Sequence, residues 1–311
     1  MRIVIAGGTG FLGAPLAESY GEEGHDVRVL TRALPDGESS HDPGTGVPGI
    51  TQVGWRPDGH AGPWARTVDG ADAVVNLAGE SLDQGRWTPQ RKARLRDSRV
   101  IPTRSLVAAI QCATAPPRVF VSGSGAGYYG PSAEEIKTES DPAGHDFLSG
   151  ICVEWEAEAR RAEGASGQVV CLRAGVVLDR TGGALARMLL PFRLFAGGPL
   201  GSGRQYMSWI HRRDWIEMVR WIVETREATG PMNATAPVPV TNREFVRALG
   251  RALHRPAFTP APSFALRLLF GEMADALLLK GQRAVPARAT ALGFHFKYPD
   301  IDQAMRGIFE T

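Results

Sequence analysis

The sequence contains few cysteines and no long apolar segment. Cys112, Cys152 and Cys171 are the only cysteines among its 311 residues, and they are too few and too widely spaced for a disulfide framework or a zinc knuckle. No apolar run approaches the roughly 18 residues of a membrane-spanning helix, and "MRIVIAGG" enters a strand at once, which leaves no room for a signal peptide. We therefore expect a cytoplasmic protein with reduced thiols, no metal site and no membrane partner.

An excess of charge of either sign is also lacking. Lysine and arginine total 35, aspartate and glutamate total 33, and the formal net charge is +2. No segment combines a basic stripe with interleaved aromatic residues, which is the pattern of many nucleic-acid-binding surfaces. The composition therefore favours a small-molecule ligand over nucleic acid. The length allows one large domain and a smaller one.

The opening residues have the pattern of a βαβ unit. "RIVIAG" predicts a strand, and "FLGAPLAESYGEEG" places Leu12, Leu16 and Tyr20 at four-residue spacing, as an amphipathic helix does. "DVRVLTR" then predicts a second strand. A strand, a turn and a helix that lead to a second strand are the arrangement of a mononucleotide-binding unit.

The turn of this unit, "GGTGFLG", has a GxxGxxG pattern. Gly7 permits a tight turn, Gly10 lets the backbone approach a pyrophosphate, and Gly13 lets helix and strand pack closely. The free N–H groups at the helix N-terminus favour phosphate binding. The pattern predicts a dinucleotide site, and a purely structural glycine turn is the alternative. The predicted cofactor contacts here are Gly7, Thr9, Gly10, Phe11, Leu12 and Gly13.

The end of the second predicted strand indicates which dinucleotide is bound. An acidic residue at this point would bind an unphosphorylated ribose, but the chain has Thr31 and Arg32. A hydroxyl and a guanidinium suit a 2′-phosphate, so we expect NADP(H) rather than NAD(H) as the cofactor. The alternative is that Arg32 is a solvated surface residue. The polar stretch 33–49 that follows predicts a loop beside the ribose.

Strands and helices continue to alternate through residue 178. "ADAVVNLAG" and "RVFVSGSG" predict further buried strands, and the small residues that end the first of them leave space for a cofactor. We expect an α/β fold, in which a doubly wound parallel Rossmann sheet (residues 1–178 and 206–236) carries a smaller, mostly helical C-terminal substrate lobe (179–205 and 237–311). Predicted cofactor contacts in this part are Asn76, Leu77, Ala78, Gly79 and Ser122.

Several motifs carry a family resemblance. "GGTGFLG", "NLAG", "SGSGAGYYG" and "CLRAGVVL" resemble the extended, epimerase-like branch of the short-chain dehydrogenase/reductase superfamily. "GRWTPQRKARLRDSR", "DFLSGICVEWE", "GRQYMSWIHRRD" and "FGEMADALLLKGQRAVP" resemble one atypical group, whose members are called epimerase family proteins or, formerly, cell-division inhibitors. The resemblance spans essentially the whole chain. It implies cofactor contacts from Arg99, Arg173 and Val176, and substrate contacts from Glu80, Tyr129, Gln205 and Trp209.

The resemblance also shows that two expected catalytic residues are missing. Ordinary members of the superfamily use a serine, a tyrosine, a lysine and an asparagine. The corresponding positions here hold Ser124, Leu148, Cys152 and Arg99. Leucine exchanges no proton, and a cysteine with an unperturbed pKa of about 8.5 is mostly neutral at pH 7. The standard hydride-transfer mechanism is therefore incomplete.

Other residues near this site are candidates for the missing functions. We expect Ser124 to polarise a substrate oxygen, Arg99 to supply positive charge and Tyr129 to carry the proton, although Tyr128 and Tyr129 would also suit aromatic packing. Cys152 is a site residue or an inert buried thiol. Further along the chain, His211 and Asp214 suit either an acid–base couple or, as the favoured reading, a helix N-terminus capped by Asp214.

Two functions follow from this sequence. The first is an NADP(H)-dependent oxidoreductase or epimerase-like enzyme that acts on a small carbonyl, alcohol or sugar-type substrate. The second is a non-catalytic NADP(H)-binding sensor, since tyrosine and lysine are both replaced. The resemblance is compatible with a homodimer, which would form through helices at roughly residues 88–111 and 147–163.

Overall fold

The computed structural model describes residues 1–40 and 49–310. The predicted loop at 33–49 therefore lies partly outside the described residues. Within them, Ser39–Ser40 forms a short strand instead of a loop. Its partner, Ile50–Gly54, is a strand that the sequence analysis did not predict.

The described residues form strands and helices that alternate over most of the chain. The strands are β1 (Arg2–Ala6), β2 (Asp26–Thr31), β3 (Ser39–Ser40), β4 (Ile50–Gly54), β5 (Ala73–Asn76), β6 (Val119–Gly125), β7 (Ile136–Lys137), β8 (Gln168–Ala174), β9 (Val176–Leu178), β10 (Tyr206–Met207), β11 (Trp209–His211), β12 (Gly230–Ala234), β13 (Val240–Thr241) and β14 (Arg283–Ala284). The helices are α1 (Gly13–Glu22), α2 (Pro89–Cys112), α3 (Phe147–Arg160), α4 (Gly183–Arg193), α5 (Arg212–Glu224), α6 (Asn242–Leu253), α7 (Ser263–Phe270), α8 (Ala287–Ala291) and α9 (Ile301–Phe309). Short 3₁₀ turns lie at Pro63–Thr67 and Ala126–Tyr129, and a π-helical segment at Ala274–Leu279.

Among the described residues, the central sheet has eight strands in the order β12-β8-β6-β5-β1-β2-β4-β3. All neighbouring pairs are parallel except β3 with β4. Because β1 lies between β2 and β5, the winding direction reverses there, and the crevice beyond the carboxyl ends of β1 and β5 is where such sheets bind ligands. The predicted doubly wound parallel sheet is confirmed.

Apolar side chains cover both faces of this sheet, which is why its strands read as nearly continuous apolar runs. Leu16 of α1 and Met218 of α5 belong to one buried cluster, and Leu106 of α2 and Ala159 of α3 belong to the other. A third cluster joins α4, α6 and α9, so the C-terminal region is largely helical, as predicted. The proposed boundaries between the two domains stay a prediction.

The segment after residue 205 reaches the central sheet only at its last strand. "YMSWIH" contributes β10 and β11, which pair with β13 and β9 outside the central sheet. The strand that rejoins the central sheet is β12, beside β8. Within residues 1–40 and 49–310, no helix has the length and apolar character needed to cross a membrane.

Candidate cofactor and catalytic site

The turn between β1 and α1 requires glycine at two positions. Gly7 has a φ of +77°, and a Cβ there would lie 2.7 Å from the carbonyl oxygen of Leu77. A Cβ on Gly13 would lie 2.3 Å from the carbonyl oxygen of Gly7. Within the described residues, no side chain caps the N-terminus of α1. The turn therefore brings bare backbone and helix N–H groups to the crevice, an arrangement that suits a pyrophosphate.

Thr31 and Arg32 lie at the end of β2, beside this turn. The Thr31 side chain is buried, and its Oγ1 accepts a hydrogen bond from the Ala33 N–H at 3.2 Å. Arg32 is exposed and forms no ion pair or hydrogen bond with any described residue. As far as residues 1–40 and 49–310 are concerned, its guanidinium is therefore available to pair with an anion.

Asn76, at the end of β5, shapes the backbone on the other side of the crevice. It is fully buried, its Nδ2 donates to Thr103 Oγ1 at 2.8 Å, and its Oδ1 accepts from the Ala78 N–H at 3.2 Å. Ser122, on the neighbouring strand β6, is also fully buried. These two side chains thus hold the strand ends in place, and the exposed edge of the crevice is formed by residues 77–79.

Arg99 lies beneath this edge of the crevice. Its Nη1 donates to the Leu95 carbonyl at 2.8 Å and its Nη2 to the Glu80 carbonyl at 2.9 Å. A Cβ on Gly79 would lie 3.3 Å from Arg99 Cζ, so Gly79 allows the guanidinium to approach the backbone. Burial lowers the pKa of Arg99. The crevice therefore has a fixed positive charge beside residues 79 and 80.

A buried hydrogen-bond network lies below the carboxyl ends of β6 and β8. The Ser124 hydroxyl donates to Glu156 Oε1 at 2.7 Å, and Arg173 donates to both carboxylate oxygens of Glu156, at 2.8 and 2.9 Å. Arg173 Nη1 also donates to the Tyr129 hydroxyl at 3.0 Å, and that hydroxyl donates to Asn233 Oδ1 at 2.7 Å. The bidentate ion pair is the strongest element of this network.

This network decides which candidate side chains have a free proton. Tyr129 is 4% exposed, its hydroxyl proton points to Asn233, and burial raises its pKa to about 12. Ser124 also has its proton engaged, because a carboxylate only accepts hydrogen bonds. Arg173 is 3% exposed and its donors point at protein atoms. The roles predicted for Tyr129 as a proton carrier and for Arg173 as a cofactor contact stay predictions.

Cys152 is a neutral thiol in this structure. It is 7% exposed, and its sulfur donates to the Gly125 carbonyl at 3.7 Å. Burial, together with the nearby Glu156 carboxylate, raises its pKa to about 11. Leu148, one turn earlier on α3, is also buried. The positions of the usual tyrosine and lysine thus hold an apolar side chain and an uncharged one.

The residues predicted to contact substrate have different environments. The carboxylate of Glu80 pairs with Arg91 and Arg94; burial opposes its ionisation, but these two hydrogen bonds outweigh burial and lower its pKa. Gln205 Nε2 donates to two backbone carbonyls, while its buried Oε1 has no partner among the described residues. Trp209 is fully buried in the C-terminal cluster.

The segment around His211 is a helix N-terminus. His211 Nδ1 accepts from the Arg213 N–H at 3.0 Å, so His211 caps α5. Asp214 accepts the N–H groups of Lys297 and Tyr298, each at 2.9 Å, and does not cap the helix. The helix-terminus reading is therefore correct, but the capping residue is His211. His211 Nδ1 and the Asp214 carboxylate are each bound to backbone N–H groups, His211 Nε2 is buried without a partner, and no hydrogen bond among the described residues joins the two side chains as an acid–base couple.

The sequence analysis did not assign Glu156, Asn233 or Glu139 to the site. Glu156 lies four residues after Cys152 on α3, and this spacing places both on one helix face, so a signal was present. Asn233 comes from β12, and buried Glu139 accepts its backbone N–H at 3.0 Å. Their proximity arises from the strand order, which one sequence does not reveal.

Comparison with known proteins agrees with this fold and crevice. Residues 3–234 match the model of the NAD dependent epimerase/dehydratase family, and residues 261–308 match a domain of unknown function, DUF1731. The chain belongs to the NAD-dependent epimerase/dehydratase family. The predicted family resemblance is confirmed.

Within this family, the chain is similar over its full length to proteins called epimerase family proteins. It is 40% identical to the chloroplastic SDR39U1 homolog of Arabidopsis thaliana, covering 100% of this chain and 87% of that protein. It is 39% identical to YfhF of Bacillus subtilis, covering 98% and 97%. The crystal structure of human epimerase family protein SDR39U1 (isoform 2) with NADPH superposes with a TM-score of 0.89, at 36% identity and 100% coverage of both chains. Since one relative is chloroplastic, the cytoplasmic location stays a prediction.

Proposed function

We propose that this chain binds NADPH in the crevice between the carboxyl ends of β1, β2 and β5. The observation that carries the proposal is the exposed Arg32 guanidinium beside Thr31, which has no ion-pair partner among the described residues and lies next to a turn in which Gly7 and Gly13 leave no room for a Cβ. The glycine turn would hold the pyrophosphate, and Thr31 and Arg32 the 2′-phosphate. The NADPH in the crystal structure of the human relative supports this choice of cofactor.

We further propose that the chain reduces a small carbonyl compound. NADPH, when bound, supplies a hydride. Ser124, at the carboxyl end of β6, would orient the substrate: rotation of its hydroxyl away from Glu156 points the proton at a carbonyl oxygen, and Glu156 stays paired with Arg173. Arg99 keeps a positive charge beside the crevice, and the neutral Cys152 thiol keeps the floor of the site uncharged. A sugar-type substrate or the reverse oxidation would use the same residues.

Cofactor titration with a matched control tests the first proposal. A guanidinium–phosphate contact is worth about 1.5 kcal/mol or more, so Arg32→Ala should weaken NADPH binding roughly tenfold or more and leave NADH binding unchanged. Arg226→Ala is the control, because Arg226 is also exposed but precedes β12, the edge strand on the far side of β1 from β2. Equal affinity of the wild type for NADH and NADPH would contradict the assignment. Loss of nicotinamide absorbance with a panel of carbonyl compounds tests the second proposal.

One observation favours a second function. Leu148 replaces the usual proton donor, and the protons of Ser124 and Tyr129 are both engaged in the buried network. A cofactor sensor needs no proton donor. That function predicts tight NADPH binding with no turnover of any carbonyl in the panel, and a protein partner whose capture depends on the redox state of the cofactor. Steady turnover that Ser124→Ala abolishes would exclude it.

A further inference from the structure

Tyr128 differs from Tyr129 in the state of its hydroxyl. Tyr128 is half-buried, and its hydroxyl has no hydrogen-bond partner among residues 1–40 and 49–310. Tyr129, the next residue, is buried and its hydroxyl has two partners. Of these two neighbouring phenols, Tyr128 is therefore the one with a proton to transfer.

Tyr128 also lies beside the position that lost its tyrosine. A Cβ built on the preceding residue, Gly127, would lie 3.4 Å from Leu148 Cβ, so the 3₁₀ turn that carries Tyr128 packs directly on that part of α3. The Ser149 hydroxyl stabilises this contact by donating a hydrogen bond to the Gly127 carbonyl at 3.0 Å. The phenol is thus held at the end of β6, the strand that carries Ser124.

Arg173 provides the cation that the missing lysine would supply. Its Cζ lies 3.4 Å from the centroid of the Tyr128 ring, which is close stacking of a guanidinium on a phenol. Arg173 pairs with Glu156 through hydrogen bonds in the guanidinium plane, so the face of the guanidinium remains available to the ring. A cation in this position stabilises the negative charge that forms when the phenol loses its proton.

We propose that Tyr128 is the general acid of this site, with Arg173 as its positioning residue; the proposal rests on the reductase function proposed above. As the carbonyl carbon gains a hydride, the carbon–oxygen π bond breaks and the oxygen takes the phenolic proton of Tyr128. The phenolate then recovers a proton from water. The pair of Tyr128, from the 3₁₀ turn after β6, and Arg173, from β8, replaces the tyrosine and lysine that other members of the superfamily carry on one helix.

Chemical modification tests the position of Tyr128 without any turnover. In the free protein, N-acetylimidazole should acetylate Tyr128 and spare Tyr129, as read by mass spectrometry. Saturating NADPH should protect Tyr128, whereas the 2′-phosphorylated ADP-ribose fragment, which lacks nicotinamide, should not. Equal protection by both ligands, or by neither, would overturn the proposal and would leave NADPH binding itself intact.

Kinetics test the proton transfer, with phenanthrenequinone as the carbonyl probe. Since general acids contribute about 10²- to 10⁴-fold, Tyr128→Phe should lower kcat at least a hundredfold while the Kd for NADPH stays the same. Tyr20→Phe is the control, because it removes a phenol hydroxyl that is buried in α1 and has no partner among the described residues. If wild type turns over and Tyr128→Phe stays within threefold of it, the general-acid role is wrong and the reductase function stands. A wild type that binds NADPH but reduces no carbonyl would contradict the function and the role together.

Discussion

Removal of one partner from the buried ion pair between Glu156 and Arg173 should be among the most destabilising single changes in this fold, because it leaves the other charge buried without its partner. Glu156→Gln removes the negative charge and leaves the Arg173 guanidinium, which is 3% exposed, with no carboxylate partner. Loss of one partner of a buried ion pair typically costs about 3–5 kcal/mol. Glutamine keeps one acceptor for Ser124 or Arg173 but not the bidentate pair. We therefore expect the free energy of unfolding to fall by about 3 kcal/mol.

Glu154→Gln is the matched control for this prediction. Glu154 lies two residues earlier on α3 and pairs with Arg96, but both side chains are nearly half exposed. An exposed pair contributes about 0–1 kcal/mol. Urea unfolding followed by circular dichroism gives both free energies of unfolding, and a loss of about 3 kcal/mol corresponds to roughly a 5 °C fall in Tm for a chain of this length. Equal stability of the two variants would refute the view that burial makes this pair costly to break.

Three further predictions concern a histidine, a cysteine and two glycines. Burial lowers the pKa of His211 to about 4, so the folded state binds fewer protons than the unfolded state between pH 4 and 6.5. The free energy of unfolding should therefore fall by about 3 kcal/mol as the pH falls through that range. His211→Asn, which can still cap α5, should flatten this dependence of the free energy of unfolding on pH. Iodoacetamide should modify the exposed Cys112 in the native protein and spare the two buried cysteines, so a doubly labelled native chain in the mass spectrum would contradict the burial. Gly13→Ala should abolish NADPH binding in a titration, because its Cβ would meet the Gly7 carbonyl. The control Gly150→Ala has open space for a Cβ on α3, so this variant should bind NADPH normally and unfold at the same or a higher temperature.

Local sequence patterns were sufficient to predict the features that are formed by residues close together in the sequence. The glycine turn and the Thr31–Arg32 pair at the end of β2 are each built within one βαβ unit, so their spacing in the sequence already predicts their arrangement in space. The missing tyrosine and lysine were visible for the same reason, since both belong to a single helix. The parallel sheet followed from the alternation of strands and helices.

Contacts between distant segments were not predictable in this way. Tyr129 was the preferred proton carrier, but only the strand order β12-β8-β6 places Asn233 and Arg173 against its hydroxyl. His211 caps α5 because its ring is packed on Tyr298 of a later segment, which also leaves Asp214 to bind backbone groups there. The short strand β4 was missed, although it extends the sheet beside β2.

The sequence by itself determined the mononucleotide-binding unit, the Thr31–Arg32 pair on which the expectation of a phosphorylated ribose rests, and the replacement of the usual proton donor, because each depends on residues a few positions apart. Only the tertiary structure decided which hydroxyl protons remain free. Ser124, Tyr128, Glu156 and Arg173 come from two strands, one turn and one helix. Because these side chains are buried or half-buried, their polar atoms interact mainly with one another. The direction in which each proton is donated is therefore set by partners far away in the chain.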